Sequence, residues 1–259
     1  MPPAPLLDLL PAAERERLQS RMRRVCLESG QTVALPQRPM EAVYFPIDCI
    51  VSVIARGEVG EQVEAGLIGC EGVAGLPLFL REKLAPHQMT CQVPGEAWRM
   101  GAEEFVAESA RPSALSDVLL RYTHAFLAMT AQGVLCNAAH GVDERCARWL
   151  LSIHDRVGRD SFALTQEYLA VMLAVRRPGV SVAMGSLKRA GAIDYHRGQM
   201  IVVDRVALEA ASCPCHELTA AHFAGREAEA VLPHQRLGRP APTPGPGGPA
   251  ATPGAPNPH

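Results

Sequence analysis

Residues 164–191, LTQEYLAVMLAVRRPGVSVAMGSLKRAG, constrain the fold more than any other stretch, because two short amphipathic helical patterns are separated by room for only a tight turn. Thr165 is placed to cap the first helix, its hydroxyl accepting from a backbone N–H one turn on, and Leu169, Met172 and Leu173 form one apolar face. Arg176-Arg177-Pro178 opens the second, with proline at a first helical position where its missing N–H costs nothing. Val180, Ala183, Met184 and Leu187 recur at i, i+3, i+4 and i+7 as its core stripe. Small Ala170 lets the helices cross closely, Ala174 sits at the turn, and Val180 fills the gap between them, the offsets of a helix-turn-helix. The opposite face of the second helix carries Arg177, Ser181, Gly185 and Lys188, a cationic and slim surface suited to a major groove.

Beyond Gly191, two β-like runs flank His196-Arg197-Gly198-Gln199 and read as a hairpin wing with a cationic tip. Residues 165–205 hold six Lys or Arg against three Asp or Glu, within a chain of formal net charge -2. Positive charge is thus concentrated where phosphates would be neutralised. Helix pairs of this kind also occur in domains that never meet nucleic acid; the wing and the charge bias favour DNA. On that reading Arg177, Ser181 and Arg176 reach base edges, and Thr165, Gln166, Lys188, His196, Arg197 and Gln199 contact phosphates.

The preceding sequence divides in two. After helical patterns at 6–10 and 12–26, residues 31–100 form short runs (QTVAL, EAVYF, CIVSVIA, EQVEAGLI, MTCQV, AWRM) broken by Gly and Pro, as in an antiparallel sandwich or roll. Helical character resumes at 101–108, and Arg111-Pro112-Ser113 breaks it and can cap the next helix. In that helix Leu115, Leu119, Tyr122, Phe126, Met129, Gly133, Cys136 and His140 follow alternating steps of four and three, a heptad seam expected to bury itself against a parallel copy. The alternative is that the same stripe packs on the roll, with Val118, Leu127 and Val134 as a second face. Gly141 is a plausible hinge before a helix at 142–157, in which Trp149 belongs to the apolar stripe. One more short helix is expected past Arg205, and the Pro/Gly/Ala-rich stretch 232–259 is expected to be disordered.

The expected class is α+β: a jelly-roll-like antiparallel β-roll with N-terminal helices over 1–112, a dimerisation helix over 113–140, and a winged helix-turn-helix over 141–216. With 47% hydrophobic residues in 259, about two domains can bury cores. No run reaches the roughly 18 apolar residues of a membrane helix, and the first residues lack the pattern of a signal peptide, so a cytoplasmic protein with no membrane partner is expected. The eight cysteines are scattered apart from Cys213 and Cys215, as packed reduced thiols are. Cys213, Cys215 and His216 are weak metal candidates, lacking a second ligand pair at finger spacing, so no metal and no cofactor is expected. Glu71 and Glu103-Glu104 read as solvated charge. No phosphate loop, HExxH or GxSxG occurs, which disfavours an enzyme.

The order of roll, long helix and winged helix-turn-helix resembles the Crp/Fnr superfamily of transcription regulators over roughly residues 6–215. CNAAHGVDERCARWLL, the 164–193 stretch and YHRGQMIVVDR carry the likeness. The resemblance implies a homodimer on a two-fold symmetric operator in double-stranded DNA, with RNA polymerase as a further partner. Arg177 matches the family's first base-reading arginine, whereas the glutamate that follows it is Pro178 here and a later arginine is Val182. The family's ribose and phosphate pairs for cyclic nucleotides fall at Gly75-Leu76 and Ala85-Pro86, neither complete, and only Cys26 stands where oxygen sensors hold an iron–sulfur cysteine cluster. The effector is therefore unknown, with cAMP and an iron–sulfur cluster disfavoured. A second reading is a small-molecule or redox/metal sensing module whose helix-turn-helix mediates protein contacts.

Overall fold

Alternating apolar residues between glycine and proline breaks become two antiparallel sheets. The computed structural model describes residues 3–224; the stretch 232–259, expected to be disordered, lies outside the described residues. Strands β1 (Arg23–Leu27), β7 (Gly95–Gly101) and β3 (Ala42–Pro46) form one sheet in that order. Strands β2 (Thr32–Ala34), β6 (Gln88–Val93), β4 (Ile50–Arg56) and β5 (Gln62–Ile68) form the other. Phe45, Val51, Val53, Ile68, Met89, Cys91 and Met100 belong to the roll's core. A single helical turn, α2 (Leu76–Phe79), begins after Gly75 at φ 144°, where a Cβ would collide with Val43. Two of these elements escaped the sequence pattern, β1 and α2.

At the N-terminus a 3-10 turn (Leu6–Leu9) and α1 (Ala12–Gln19) form as expected, but the second helix stops early. Residues 23–27 instead pair with β7, Arg23 opposite Arg99 through Leu27 opposite Gly95. The free edge of β7 needs backbone partners, and that tertiary demand outweighs local helix preference. Helix α3 (Ala102–Ser109) caps the roll with Phe105 and carries Glu108, whose buried carboxylate accepts from Arg17 and Arg21.

Helix α4 (Ala114–Ala139) starts at a capping box in which Ser113 and Ser116 satisfy each other's backbone N–H. Its heptad stripe is covered from within the chain. Leu115, Leu119 and Tyr122 lie in the roll core, Phe126 and Met129 approach Gly66 of β5, Gly133 faces a cavity of about 40 Å³, and Cys136 packs on Cys213 and Cys215. His140 caps the helix end. The seam expected to meet a second copy is thus occupied intramolecularly, its apolar side chains buried against the roll and the Cys213–Cys215 segment. A second row stays open: Leu120, Leu127 and Val134 are 58, 64 and 69% exposed, with His124, Ala131 and Ala138 exposed between them. This row again steps by four and three.

The C-terminal part comprises α5 (Val142–Val157), β8 (Ser161–Ala163), α6 (Gln166–Met172), α7 (Arg177–Arg189), β9 (Ile193–His196), β10 (Gln199–Val202), α8 (Arg205–Ala210) and α9 (Cys215–Phe223). Strand β8 joins the wing in a sheet ordered β8-β10-β9, and two helices rather than one follow Arg205. Trp149, Leu150 and Ile153 of α5 share a second core with Leu169, Val180, Leu187 and Met200, and also with Ile50, Ile54, Leu67 and Val93 on the outer face of the four-stranded sheet. Polar pins reinforce that contact. Arg156 donates Nε to Glu71 at 2.7 Å with both side chains buried, Trp149 donates to Glu64 at 2.8 Å, and Arg159 donates to Asp48 at 2.9 Å. Glu71 is therefore not solvated charge, since the Arg156 guanidinium neutralises it in the interior. No described helix is long and apolar enough to cross a membrane.

Candidate nucleic-acid interface

The helix-turn-helix is assembled from the local signals. Thr165 accepts from the Tyr168 N–H at 3.2 Å as the N-cap of α6. Ala174 turns the chain at φ 50°, the left-handed conformation usually given to glycine. Helix α7 begins at Arg177, one residue earlier than the sequence pattern suggests, so that Pro178 is its second residue, and it buries Val180, Ala183, Met184 and Leu187. In the wing, Arg197 and Gly198 have φ of 47° and 81°, the geometry of a two-residue type I′ turn that projects the arginine from the hairpin tip.

Side-chain contacts tie the candidate residues into one surface. Ser181 donates to Gln166 Oε1 at 3.0 Å, and Arg177 pairs with Glu167 at 3.0 Å, which joins the start of α6 to the outer row of α7. Farther along, Lys188 donates to Asp194 at 2.5 Å and His196 lies 2.7 Å from the other Asp194 oxygen, which joins α7 to the wing. The hydrogen bond from the Lys188 ammonium and the Tyr195 N–H hold the Asp194 carboxyl down to about 2, so it stays ionised and orients both side chains. Thr165, Arg177, Ser181, Lys188, His196, Arg197 and Gln199 are all exposed. Arg176 stands apart as the N-cap of α7. It lines a groove of about 830 Å³ between the helix turn and the β4–β5 hairpin, where Arg56 and Gln62 also lie. Val182, 66% exposed on α7, joins the surface although its side chain carried no charge signal in the sequence.

Residues 144–211 match the sequence family described as the Crp-like helix-turn-helix domain. These residues are similar to a Crp-like helix-turn-helix domain. Solved structures with the same overall arrangement include FixK2 from Bradyrhizobium japonicum, at TM-score 0.63 and 15% identity over 74% of this chain and 98% of that one. A CRP-family transcriptional regulator from Thermus thermophilus, TTHB099, is similar at TM-score 0.59 and 19% identity, over 74% and 96%. The c-di-GMP responsive global regulator CLP of Xanthomonas campestris is similar at TM-score 0.58 and 16% identity, over 75% and 100%. The fold is that of Crp/Fnr regulators, built around the Crp-like domain. No curated protein matched the chain by sequence.

On the roll side, Leu76 packs against the apolar core and Ala85 is fully buried in it. Glu64 is a titratable group that sequence reasoning missed. It accepts from Ser52 at 2.7 Å and from the Trp149 indole, and removal from water pushes its carboxyl up to about 7 against the pull of those bonds and of Arg148 and Arg156. Of the metal candidates, His216 is engaged elsewhere, 2.8 Å from Asp155, which Arg205 also contacts at 2.7 Å. Cys213 and Cys215 instead meet Cys136 and His140 from the end of α4.

Proposed function

We propose that this chain is a transcription regulator that binds a two-fold symmetric site in duplex DNA as a homodimer, with α7 in the major groove. One observation carries the reading: the exposed row of α7, the capped start of α6 and the wing tip form a single surface rich in Arg, Lys and hydroxyl groups, in a domain that matches the Crp-like family. Arg177 and Ser181 contact base edges, and Val182 adds an apolar contact of the kind that thymine methyl groups provide. Thr165, Gln166, Lys188, His196, Arg197 and Gln199 contact phosphates, and Arg176 acts from the flank. The Glu167 and Asp194 pairs are exposed enough to open at little cost when phosphates arrive.

The two copies meet along Leu120, His124, Leu127, Ala131, Val134 and Ala138, the open row of α4, rather than along the stripe buried in the roll. A helix of 26 residues is about 39 Å long, enough for three heptads of contact. RNA polymerase is the expected further partner of the bound dimer, and the chain is expected to act in the cytoplasm without catalysis.

Selection from a random duplex library identifies the preferred site. Arg177→Ala is then expected to weaken binding there by about 1–3 kcal/mol while leaving random duplex nearly unaffected, and Arg197→Ala to weaken both alike. Equal loss on both duplexes for Arg177→Ala, or no duplex binding at low salt by the parent chain, overturns the reading.

A further inference from the structure

Four side chains with metal-ligating atoms converge where α4 ends. Cys136 and His140 are one helical turn apart, which puts them on the same face, while Cys213 approaches from the loop between α8 and α9 and Cys215 from the first residue of α9. The Sγ atoms of all three cysteines and a ring nitrogen of His140 lie within 4.8 Å of one another. Cys136 Sγ is 3.5 Å from Cys213 Sγ, and Cys215 Sγ is 3.6 Å from His140 Nδ1. A tetrahedral zinc with ordinary bond lengths has sulfur–sulfur edges of about 3.8 Å and sulfur–nitrogen edges of about 3.5 Å. The two measured edges fall close to those values before any ligand moves.

We propose that Cys136, His140, Cys213 and Cys215 form a closed tetrahedral site for one zinc ion. Three sulfurs and one imidazole favour a thiophilic divalent cation over calcium or magnesium, and four protein ligands leave no open position, the mark of a structural centre. The sulfurs are too close together to hold an iron–sulfur cluster, whose several irons spread their cysteines. On coordination the three thiols give up their S–H protons to solvent and the imidazole binds as its neutral form, so zinc and its ligands carry net charge of about -1.

The surroundings fit that charge. Gln132 Nε2 donates toward Cys215 Sγ at 3.0 Å, as groups around a zinc thiolate do. Arg145 and Arg148, from the first turns of α5, lie close to these cysteines. The Nε atoms of both arginines are buried without a hydrogen-bond partner among the described residues. Without a cation this corner places three buried thiols beside two guanidinium groups with an unpaired Nε each; with one, the anionic centre offsets part of their positive charge. The ion would tie the Cys213–Cys215 loop to His140, the residue directly before Gly141 where α4 gives way to α5. It thereby fixes the joint between the long helix and the Crp-like domain, and it anchors α9, which lies beyond the family match.

The test uses the full chain without a polyhistidine tag, purified under reducing conditions and without chelator, with no DNA present, so its outcome is separate from that of the DNA-binding reading. Elemental analysis is expected to give one zinc per chain. Replacement by cobalt is expected to give the visible bands and sulfur charge-transfer absorption of a tetrahedral thiolate centre. Cys215→Ser and His140→Ala should each abolish stoichiometric zinc, while Cys26→Ser, at an exposed thiol, should retain it. Should a variant fold poorly, the cobalt spectrum of the parent protein decides alone. Zinc well below one per chain with no cobalt–thiolate absorption overturns the proposal. So does zinc retained in Cys215→Ser, or a Cys136–Cys213 disulfide in a reduced preparation that takes up no metal.

Discussion

Replacing Glu71 by Gln tests what holds the Crp-like domain to the roll. The change keeps the side chain's shape and one acceptor oxygen but removes the charge facing Arg156, whose side chain is 6% exposed and whose Nε lies 2.7 Å from the carboxylate. Arg156 retains the Ser152 carbonyl at 3.0 Å and the face of Phe223, neither of which neutralises a buried guanidinium. Breaking a buried pair by removing one partner costs about 3–5 kcal/mol. At roughly 2–4 °C per kcal/mol for a chain of this size, the melting temperature should fall by about 6–20 °C. Arg156→Met should cost a similar amount. The double variant should recover much of the loss, because an uncharged pair of matching volume no longer buries an unpaired charge, giving a coupling energy of about 2 kcal/mol or more. Thermal and urea unfolding followed by circular dichroism measure all four corners of the cycle. A Glu71→Gln variant within about 1 kcal/mol of the parent, or a double variant showing only the sum of the single losses, refutes the idea that this pair pins the two halves.

Further expectations concern other parts of the molecule. Because Glu64 titrates near 7 in the folded chain against about 4.5 unfolded, the folded state holds the extra proton between those values, so stability should fall as pH rises from about 4.5 to 7 and then level off. Glu64→Gln should flatten that slope and gain up to roughly 3 kcal/mol at pH 8; an unchanged slope in urea titrations across pH would contradict the assignment. Ala174→Gly should stabilise the domain by about 0.5–1 kcal/mol by relieving a left-handed alanine at an exposed turn, and a loss of stability would sink that account. Leu127→Glu should leave the melting of the single chain within about 0.5 kcal/mol while preventing dimer formation in sedimentation experiments, whereas a dimer that persists would place the contact elsewhere.

What could be read along the chain was whatever depends on near neighbours. The cap at Thr165, the buried row Val180, Ala183, Met184 and Leu187, the Arg197-Gly198 wing turn and the six alternating runs of the roll are consequences of helical or strand periodicity and of turn chemistry, so they survive in the folded molecule. Residues 23–27 became a strand because the edge of β7, about 70 positions away, needed hydrogen bonds that no local pattern encodes. Helix α4 makes the same point twice. Two rows, one running from Leu115 and one from Leu120, share the heptad rhythm, and only the position of the roll decides which is buried. Cys136 and His140 fit both a packing seam and a ligand pair, since steps of three and four serve either purpose, and only the return of the Cys213–Cys215 loop brings the other two sulfurs to them. Periodicity specifies which face of an element is special; the partner that face meets is set by long-range packing, where burial and charge compensation, not spacing, decide the outcome.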